Sequence, residues 1–374
     1  METTAQAMTA ALLPSPNPVQ LIDPTGAEVE QAGTRRDYPM PSAARLREIW
    51  HAMVLGRRFD AQATALTKQG RLAVYPSSRG QEACQVGAIL SITADDWFFP
   101  TYRDSMALAS RGIDPIEVLS LLRGDSHCGY DPIATHTAAQ CTPLSTQLIH
   151  AAGAAYGEKR RGTDHVALAF IGDGATSEGD FHEALNFAAV FEAPVIFFVQ
   201  NNKYAISVPL SKQTRAPSLA YKGIGYGVAA EQVDGNDPAA VLAVMDHAVE
   251  HCRSGKGPFL IEAHTYRLES HTNADDATRY RSSDEVTAWL ERDPIARVEA
   301  WLRGRGELND DVVAATRAAA EALAAEVRER MNTDVTVDPM SLFDNVFAQR
   351  TPQLDEARAM VAAELAADSQ EVSS

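Results

Sequence analysis

The sequence predicts an α/β protein with a doubly wound, mostly parallel sheet and helices on both of its faces. Short apolar runs alternate with segments of helical periodicity, and turn residues follow each run. Strands that alternate with helices indicate βαβ crossovers, which place parallel strands in one sheet. We also expect helical extensions at the N- and C-terminal ends. The predicted strands cover residues 165–171, 195–200 and 259–267.

Three parts of the chain differ in composition. Residues 1–40 are rich in Pro, Thr and Ala, which predicts a flexible N-terminal arm. Residues 41–308 carry the strand and helix patterns of the α/β domain. Residues 309–374 open on an Ala-rich amphipathic stretch and predict a helical C-terminal extension. Helices are expected over residues 42–70, 80–92, 145–161, 238–252 and 309–331, with another starting near Ser177 and a long loop over 124–142.

Composition excludes several classes of partner. The net charge of −17 provides no clustered Lys or Arg for nucleic acid or for an anionic membrane surface. No apolar run approaches the roughly 20 residues of a spanning helix. The four cysteines form no C-x-x-C pair, and the N-terminus resembles neither a secretory signal nor a mitochondrial presequence. We therefore expect reduced thiols and a cytoplasmic protein.

Polar residues follow two of the predicted strands. Gly172-Asp173-Gly174 comes after the first run and Asn202 after the second. Parallel strands joined by right-handed crossovers end at the same edge of the sheet, where ligands of such sheets bind. Mg²⁺ prefers oxygen ligands, usually one or two from side chains, with phosphate and water completing the shell. Asp173, Asn202 and the backbone carbonyl of Tyr204 are the predicted metal ligands.

The glycines beside Asp173 indicate a phosphate. Gly172 and Gly174 let the backbone approach such a group, and the amides of Gly174 and Ala175, at the start of a helix, suit an anion. The chain has neither a P-loop G-x-x-x-x-G-K-[ST] nor a dinucleotide G-x-G-x-x-G with a downstream acid. Each turn alone is common, but the pair within one βαβ unit is more specific.

These residues also carry a family resemblance. The segment "GDGATSEGDFHEALNFAAVFEAPVIFFVQNN" resembles the thiamine diphosphate motif, which opens with G-D-G and closes with N-N. The continuation "KYAISVP" is similar to the α subunits of the pyruvate and branched-chain 2-oxo acid dehydrogenases. So are "GRLAVYPSSRGQEACQVGA", "FFPTYRD", "VDGNDP" and "TYRLESHTNADDATRYRS". The similarity spans residues 46–347 and implies the thiamine diphosphate-binding fold.

The resemblance assigns expected roles to individual residues. Tyr102 and Arg103 match a pair that contacts the cofactor diphosphate, which the forked guanidinium suits. Arg267 is expected to reach the same group, and Leu144 to lie near the aminopyrimidine. His271 matches the active-site histidine, which orients or protonates the substrate-derived intermediate and assists transfer to the lipoyl group. The implied cofactor-binding set is Tyr102, Arg103, Leu144, Gly172, Asp173, Gly174, Ala175, Asn202, Arg267 and His271.

The implied reaction is the oxidative decarboxylation of a 2-oxo acid with acyl transfer to the lipoyl group of a dihydrolipoyl acyltransferase. Thiamine diphosphate and Mg²⁺ are the implied cofactors. The resemblance implies that the glutamate that assists the cofactor comes from a β subunit, as in the two-chain members of this family, and this chain carries no motif for that half. The expected assembly is therefore an α₂β₂ heterotetramer. The loop "HTNADDATRYRS" favours a branched-chain substrate of the 3-methyl-2-oxobutanoate type.

Alternatives and departures accompany this interpretation. The same motifs fit a pyruvate or an acetoin dehydrogenase α subunit. A magnesium-dependent phosphohydrolase with Asp173 as nucleophile would need a second set of acids, for which the sequence offers no motif. Gln200 stands where branched-chain relatives tend to carry Arg, and Thr142 replaces a Ser of a turn linked to an alkali-metal site. Thr272 and Ser282 occupy positions that mitochondrial relatives phosphorylate, but we interpret them as ordinary loop hydroxyls.

Overall fold

A parallel sheet organises the first of two structural units. The computed structural model describes residues 10–31, 33–125, 127–333 and 338–371, and the chain divides into Met1–Met331 and Asn332–Ser374. The strands of the sheet are β1 (Trp97–Phe99), β2 (Ala167–Gly172), β3 (Val195–Asn201), β6 (Ala229–Asp234) and β7 (Phe259–His264). Their order in the sheet is β1-β2-β3-β7-β6, and every neighbouring pair is parallel.

Both faces of the sheet are buried, which explains why β2 and most of β3 consist of apolar residues. Leu168 and Phe198 point into one core, while Ile171 and Phe197 point into the other. Helices cover both cores, so the predicted α/β fold with a parallel sheet and helices on both faces is confirmed. A small antiparallel pair, β4 (Tyr204–Ala205) and β5 (Val208–Pro209), lies directly after β3.

The helices of the first unit begin at recognisable caps. The Ser42 side chain accepts a hydrogen bond from the Arg45 amide at the start of the helix that begins at Ala43, and Asp237 caps the helix that begins at Pro238. The helices are α1 (Ala43–Lys68), α2 (Glu82–Ile89), α3 (Ser105–Ser110), α4 (Pro115–Arg123), α5 (Thr146–Arg161), α6 (Gly179–Phe191), α7 (Pro238–Arg253), α8 (Ser283–Leu290), α9 (Pro294–Gly304) and α10 (Asp310–Met331).

The predicted C-terminal extension is divided between the two units. Helix α10 packs against α1, where His51 Nδ1 lies 3.1 Å from the Thr316 hydroxyl, so residues 310–331 belong to the first unit. The second unit contains a 3₁₀ segment, Pro339–Phe343, and the helix α11, Pro352–Glu371. No helix among the described residues has the length and apolar character needed to cross a membrane.

Part of the N-terminal segment, for which the composition predicts a flexible arm, makes hydrogen bonds to residues of the sheet and of the turn after it. Residues 10–31 and 33–40 of it are described, and they are fixed to the sheet. The Ser15 backbone N and hydroxyl donate to the Glu231 carboxylate at 2.6 and 3.0 Å. The Leu21 amide donates to Asp237 at 2.7 Å. Both acceptors are fully buried, so these distant carboxylates hold the segment in place. Residues 1–9 lie outside the described part.

Irregular segments pair with both outer strands of the sheet. At one edge Val19 forms a parallel bridge with Val233 of β6. At the other edge the Phe98 amide donates to the His136 carbonyl at 2.9 Å, and the Ala138 amide donates to the Phe98 carbonyl at 2.8 Å. The predicted long loop, described over 124–125 and 127–142, therefore runs along β1.

Candidate functional site

A cavity of about 250 Å³ opens at the carboxyl ends of β2, β3 and β7. This is the edge at which the sequence predicted a ligand site, because polar residues follow two of these strands. All the predicted site residues line this one cavity: Tyr102, Arg103, Leu144, Gly172, Asp173, Gly174, Ala175, Asn202, Tyr204, Arg267 and His271. The structure thus brings together residues that are separated by up to 169 positions in the chain. Their individual roles remain predictions.

Three oxygen atoms converge at the ends of β2 and β3. The Asn202 side-chain oxygen lies 3.2 Å from Asp173 Oδ1 and 3.0 Å from the Tyr204 carbonyl oxygen. The Asn202 amide nitrogen donates instead to Gln81 Oε1 at 2.8 Å. Without a cation, a half-turn of the amide would let its NH₂ group donate to both oxygens. With a cation, the observed orientation presents three oxygen ligands, which suits a hard ion such as Mg²⁺.

The loop that supplies the Tyr204 carbonyl is held in a strained conformation. Lys203 and Ile206, on either side of β4, have φ of +77° and +55°, which non-glycine residues rarely adopt. This loop approaches the turn after β2 so closely that a Cβ on Gly174 would lie 2.4 Å from the Ala205 Cβ. Gly174 is therefore required by close packing, whereas the sequence suggested only an approach to phosphate.

Asp173 is buried with little compensation for a negative charge. It is 1% exposed, and the Gln213 amide donates to its Oδ2 at 2.8 Å. Burial raises the pKa of this carboxyl, and the Gln213 hydrogen bond opposes that shift. The positive charge of Lys203 also opposes the shift without cancelling it, and a cation next to Asp173 would add further countercharge. The described residues contain no group of three or more His, Cys, Asp or Glu that could hold a metal ion, so any cation here needs oxygens from elsewhere.

Two arginines hold His271 at the cavity. Arg103 Nη2 lies 2.9 Å from His271 Nδ1 and donates to the His271 carbonyl at 3.0 Å. Arg267 Nη1 lies 3.3 Å from the same ring nitrogen. Because guanidinium groups only donate, Nδ1 must be the acceptor and the ring proton must reside on Nε2. Burial, reinforced by the charges of Arg103 and Arg267, lowers the pKa of His271 to about 4, so the ring is neutral at pH 7.

Sequence reasoning missed a buried chain of amides behind the oxygens. Gln81 accepts from Asn202, and its own Nε2 donates to Gln200 Oε1 at 2.8 Å. Gln200 Nε2 then donates to Asp104 at 2.7 Å. This chain fixes which side of the Asn202 amide faces the cavity. The available signal was the position of Gln81 within the segment "GRLAVYPSSRGQEACQVGA", which is similar to the family, directly before a helix.

Near Asp173, the start of the helix differs from the one that the sequence predicted. A 3₁₀ turn, Gly174–Ser177, precedes α6, so the Gly174 and Ala175 amides begin that turn and not an α-helix. The Ala175 carbonyl accepts from the buried Ser145 hydroxyl at 2.7 Å, which anchors the turn.

Nothing lies within 4 Å of a Cβ built on Gly172, so that position leaves space open. Leu144 is 46% exposed beside the cavity.

Comparison with known proteins identifies the family. The family model described as dehydrogenase E1 component matches residues 50–338. The chain belongs to the dehydrogenase E1 component family. It is 45% identical over 93% of its length to the 3-methyl-2-oxobutanoate dehydrogenase subunit alpha of Mycobacterium tuberculosis, covering 94% of that protein. It is 38% identical over 84% of its length to the pyruvate dehydrogenase E1 component subunit alpha of Staphylococcus aureus, covering 85% of that protein.

A third relative is the pyruvate dehydrogenase E1 component subunit alpha of Bacillus cereus, 39% identical over 79% of this chain and 78% of that protein. The predicted resemblance to E1 α subunits is therefore confirmed, and so is the prediction of an enzyme of this class. In the structure, Ser282 has a structural role: its hydroxyl accepts a hydrogen bond from the Glu285 amide at 3.2 Å and caps helix α8.

Proposed function

We propose that this chain is the α subunit of a thiamine diphosphate-dependent 2-oxo acid dehydrogenase. The observation that carries the proposal is one cavity lined both by three convergent oxygens and by two buried guanidinium groups. Oxygens of this kind suit Mg²⁺, and guanidinium groups suit the oxygens of a diphosphate. The complete reaction would decarboxylate a 2-oxo acid and transfer the acyl group to the lipoyl group of a dihydrolipoyl acyltransferase.

The residues at the cavity divide into two binding groups. Asp173, Asn202 and the Tyr204 carbonyl would hold Mg²⁺, which also binds the diphosphate. Arg103 and Arg267 would bind the diphosphate oxygens directly. Thiamine diphosphate, when bound, supplies the nucleophilic carbon and the electron sink for decarboxylation. The protein supplies placement, a pre-formed charge pattern and exclusion of water.

His271 would act as a neutral hydrogen-bond donor in this reaction. Its Nδ1 accepts from the arginines, so its Nε2 proton is available to an oxygen of the substrate. A neutral ring avoids repulsion with the two guanidinium charges. Binding of an anionic diphosphate would offset those charges and raise the pKa of His271, which brings the ring closer to proton transfer near neutral pH.

The α subunit would not be active alone. The glutamate that assists the cofactor is expected on a β subunit, in an α₂β₂ heterotetramer that works with the acyltransferase. The names of the similar proteins support this, because each is an α subunit. We propose a cytoplasmic location on the grounds of the sequence alone.

A branched-chain substrate is our first choice, and pyruvate is the second. The 45% identity to a 3-methyl-2-oxobutanoate dehydrogenase subunit supports the first. The 38% identity to a pyruvate dehydrogenase subunit supports the second, as does Gln200 where branched-chain relatives tend to carry Arg. An apolar pocket separates substrates that differ by one methylene by about 1–3 kcal/mol, or 10- to 200-fold.

The deciding experiment is a substrate comparison on the complex reconstituted with its β subunit. We expect kcat/KM for 3-methyl-2-oxobutanoate to exceed that for pyruvate by about tenfold or more. A tenfold preference for pyruvate would reverse the substrate assignment and keep the enzyme class. The chain without its partner should show no turnover with an artificial electron acceptor. Robust turnover by the isolated chain would contradict the α-subunit proposal.

A further inference from the structure

A buried acid on helix α1 lies outside the lining of the cavity described above. Asp60 is 4% exposed and lies among Gly56, Phe59 and Ala63 on the buried face of α1. Burial raises the pKa of its carboxyl, and hydrogen bonds from its neighbours oppose that rise. A buried carboxyl is costly unless its oxygens accept hydrogen bonds, so the partners of Asp60 indicate why an acid is present there.

Asp60 fixes one short irregular segment of the chain, residues 75–78. The Tyr75 hydroxyl and the Ser78 amide donate to its Oδ1 at 2.9 and 2.7 Å. The Ser77 hydroxyl donates to its Oδ2 at 2.7 Å. Both carboxylate oxygens are thus used by neutral donors of the same segment, which gives that segment a single conformation against α1.

The same segment holds Arg103 by its backbone and by its side chain. The Ser78 hydroxyl donates to the Arg103 carbonyl at 2.6 Å, and Arg103 Nη1 donates to the Ser77 carbonyl at 3.0 Å. The other terminal nitrogen of the guanidinium, Nη2, is then directed to His271. A continuous path of hydrogen bonds and short backbone links therefore joins Asp60 to His271.

This arrangement orients Arg103 without neutralising it. Within the described part of the chain, Asp60 reaches Arg103 through neutral serine groups and not through an ion pair, so the guanidinium charge stays available to an anion. Fixing a long side chain before its ligand arrives removes part of the entropic cost of binding. We propose that Asp60 is a positioning residue, which holds the Arg103 guanidinium at His271 through residues 75–78. The effect on cofactor binding rests on the function proposed above, whereas the effect on His271 does not.

The first test is made on the cofactor-free chain. Asp60→Asn leaves one side-chain oxygen for three donors, which disturbs the contacts of residues 77 and 78. The matched control, Tyr75→Phe, removes one hydrogen bond to the same carboxylate and none to Arg103. Both variants should lower Tm, because each loses a buried hydrogen bond.

Only Asp60→Asn should change the titration of His271. In a ¹⁵N NMR titration its pKa should rise from about 4 toward 6.5, because the charge of Arg103 helps to lower it. Arg267 and Asp275, the other charged groups at His271, are the same in both variants. Ser78→Ala is a second variant that removes the hydroxyl bond to the Arg103 carbonyl, and it should act in the same direction.

The second test is calorimetric titration of the reconstituted complex with thiamine diphosphate and Mg²⁺. Asp60→Asn and Ser78→Ala should bind about tenfold more weakly, as expected when one charge-assisted hydrogen bond is lost, and Tyr75→Phe should bind as wild type does. Failure of the wild-type complex to bind would refute the proposed function, and the NMR titration would still decide the role of Asp60. An unchanged pKa of His271 in both Asp60→Asn and Ser78→Ala, or an equal rise in Tyr75→Phe, would overturn the positioning role.

Discussion

The Asp173→Asn substitution should stabilise the chain and, at the same time, abolish Mg²⁺-dependent cofactor binding. Asp173 is 1% exposed and receives one side-chain hydrogen bond, from Gln213. An amide of the same shape removes the buried charge and can donate toward the Asn202 oxygen. An under-compensated buried polar group costs about 1–3 kcal/mol. With an unfolding entropy of about 2.1 cal/mol/K per residue over 374 residues, this corresponds to about 1–4 °C in Tm.

The stabilisation should depend on pH in a defined direction. Burial raises the pKa of Asp173 in the folded chain above its ordinary value of 3.8. The native state then binds more protons than the unfolded state, so this group lowers stability as pH rises from 3.8 through the folded pKa. The Asp173→Asn variant has no carboxyl at this position, so it does not lose stability in this way as pH rises. Its advantage should be greatest at pH 7 and should vanish near pH 4.

Two measurements check this prediction. Thermal melts of the cofactor-free chain at several pH values give the stability difference. Calorimetric titration of the reconstituted complex with thiamine diphosphate and Mg²⁺ gives the loss of binding. Asp180→Asn is the matched control, since it removes the same charge from a partly exposed position outside the cavity. A variant that melts below wild type at pH 7, or that binds the cofactor normally, would refute the reasoning.

Three further predictions concern the same cavity. Gly174→Ala should destabilise the chain by about 1–3 kcal/mol in thermal melts, because the new Cβ meets Ala205 at 2.4 Å; an unchanged Tm would contradict that packing. His271 should stay neutral from pH 8 to pH 5.5 in a ¹⁵N NMR titration of the cofactor-free chain, since burial and the two arginines lower its pKa to about 4, and the Nε2-protonated tautomer should be seen; a midpoint near pH 6.5 would show that neither burial nor the arginines lower the pKa of His271. Gln81→Met should weaken Mg²⁺-dependent cofactor binding about 10- to 100-fold by calorimetry, because Asn202 is then free to rotate; unchanged affinity would remove Gln81 from a positioning role.

The strands that frame the site could be predicted because they are buried on both faces. Residues 166–171 and 195–199 are apolar without interruption, and the structure places strands at Ala167–Gly172 and Val195–Asn201. The polar residues after them then follow from the geometry of parallel sheets. In this part of the chain, the apolar residues of the sequence are the residues that the sheet buries.

Strand β6 could not be predicted, because its environment is made by distant residues. Its sequence contains Glu231, which is polar and yet fully buried. Ser15, Arg36 and Tyr38 satisfy that carboxylate from about 200 positions away. No local sequence pattern indicates such distant partners, so the sequence of β6 resembles that of a polar segment and does not predict a strand. For the same reason, the composition of the N-terminal segment did not indicate the hydrogen bonds that Ser15 and Leu21 make with Glu231 and Asp237.

The sequence also did not predict which side chains pair with each other within the site. The motifs predicted that Arg103, Arg267 and His271 share a cavity. They did not predict that both arginines point at one imidazole nitrogen, which settles the tautomer of the ring. Loop conformation brings these groups together, and the local sequence does not encode that conformation in a readable way.

The irregular segments beside β1 and β6 have a consequence for self-association. An outer strand presents unpaired backbone groups that invite pairing with another chain, and a parallel sheet of apolar strands is especially exposed to this hazard while it forms. Here Val19 lies on one border of the sheet and Ala138 on the other, so neither border offers a long free template. The N-terminal segment is synthesised long before β6. It can therefore pair with β6 as soon as that strand joins the sheet. Removal of the segment up to Ile22 should therefore lead to aggregation during expression more readily than to a simple loss of activity.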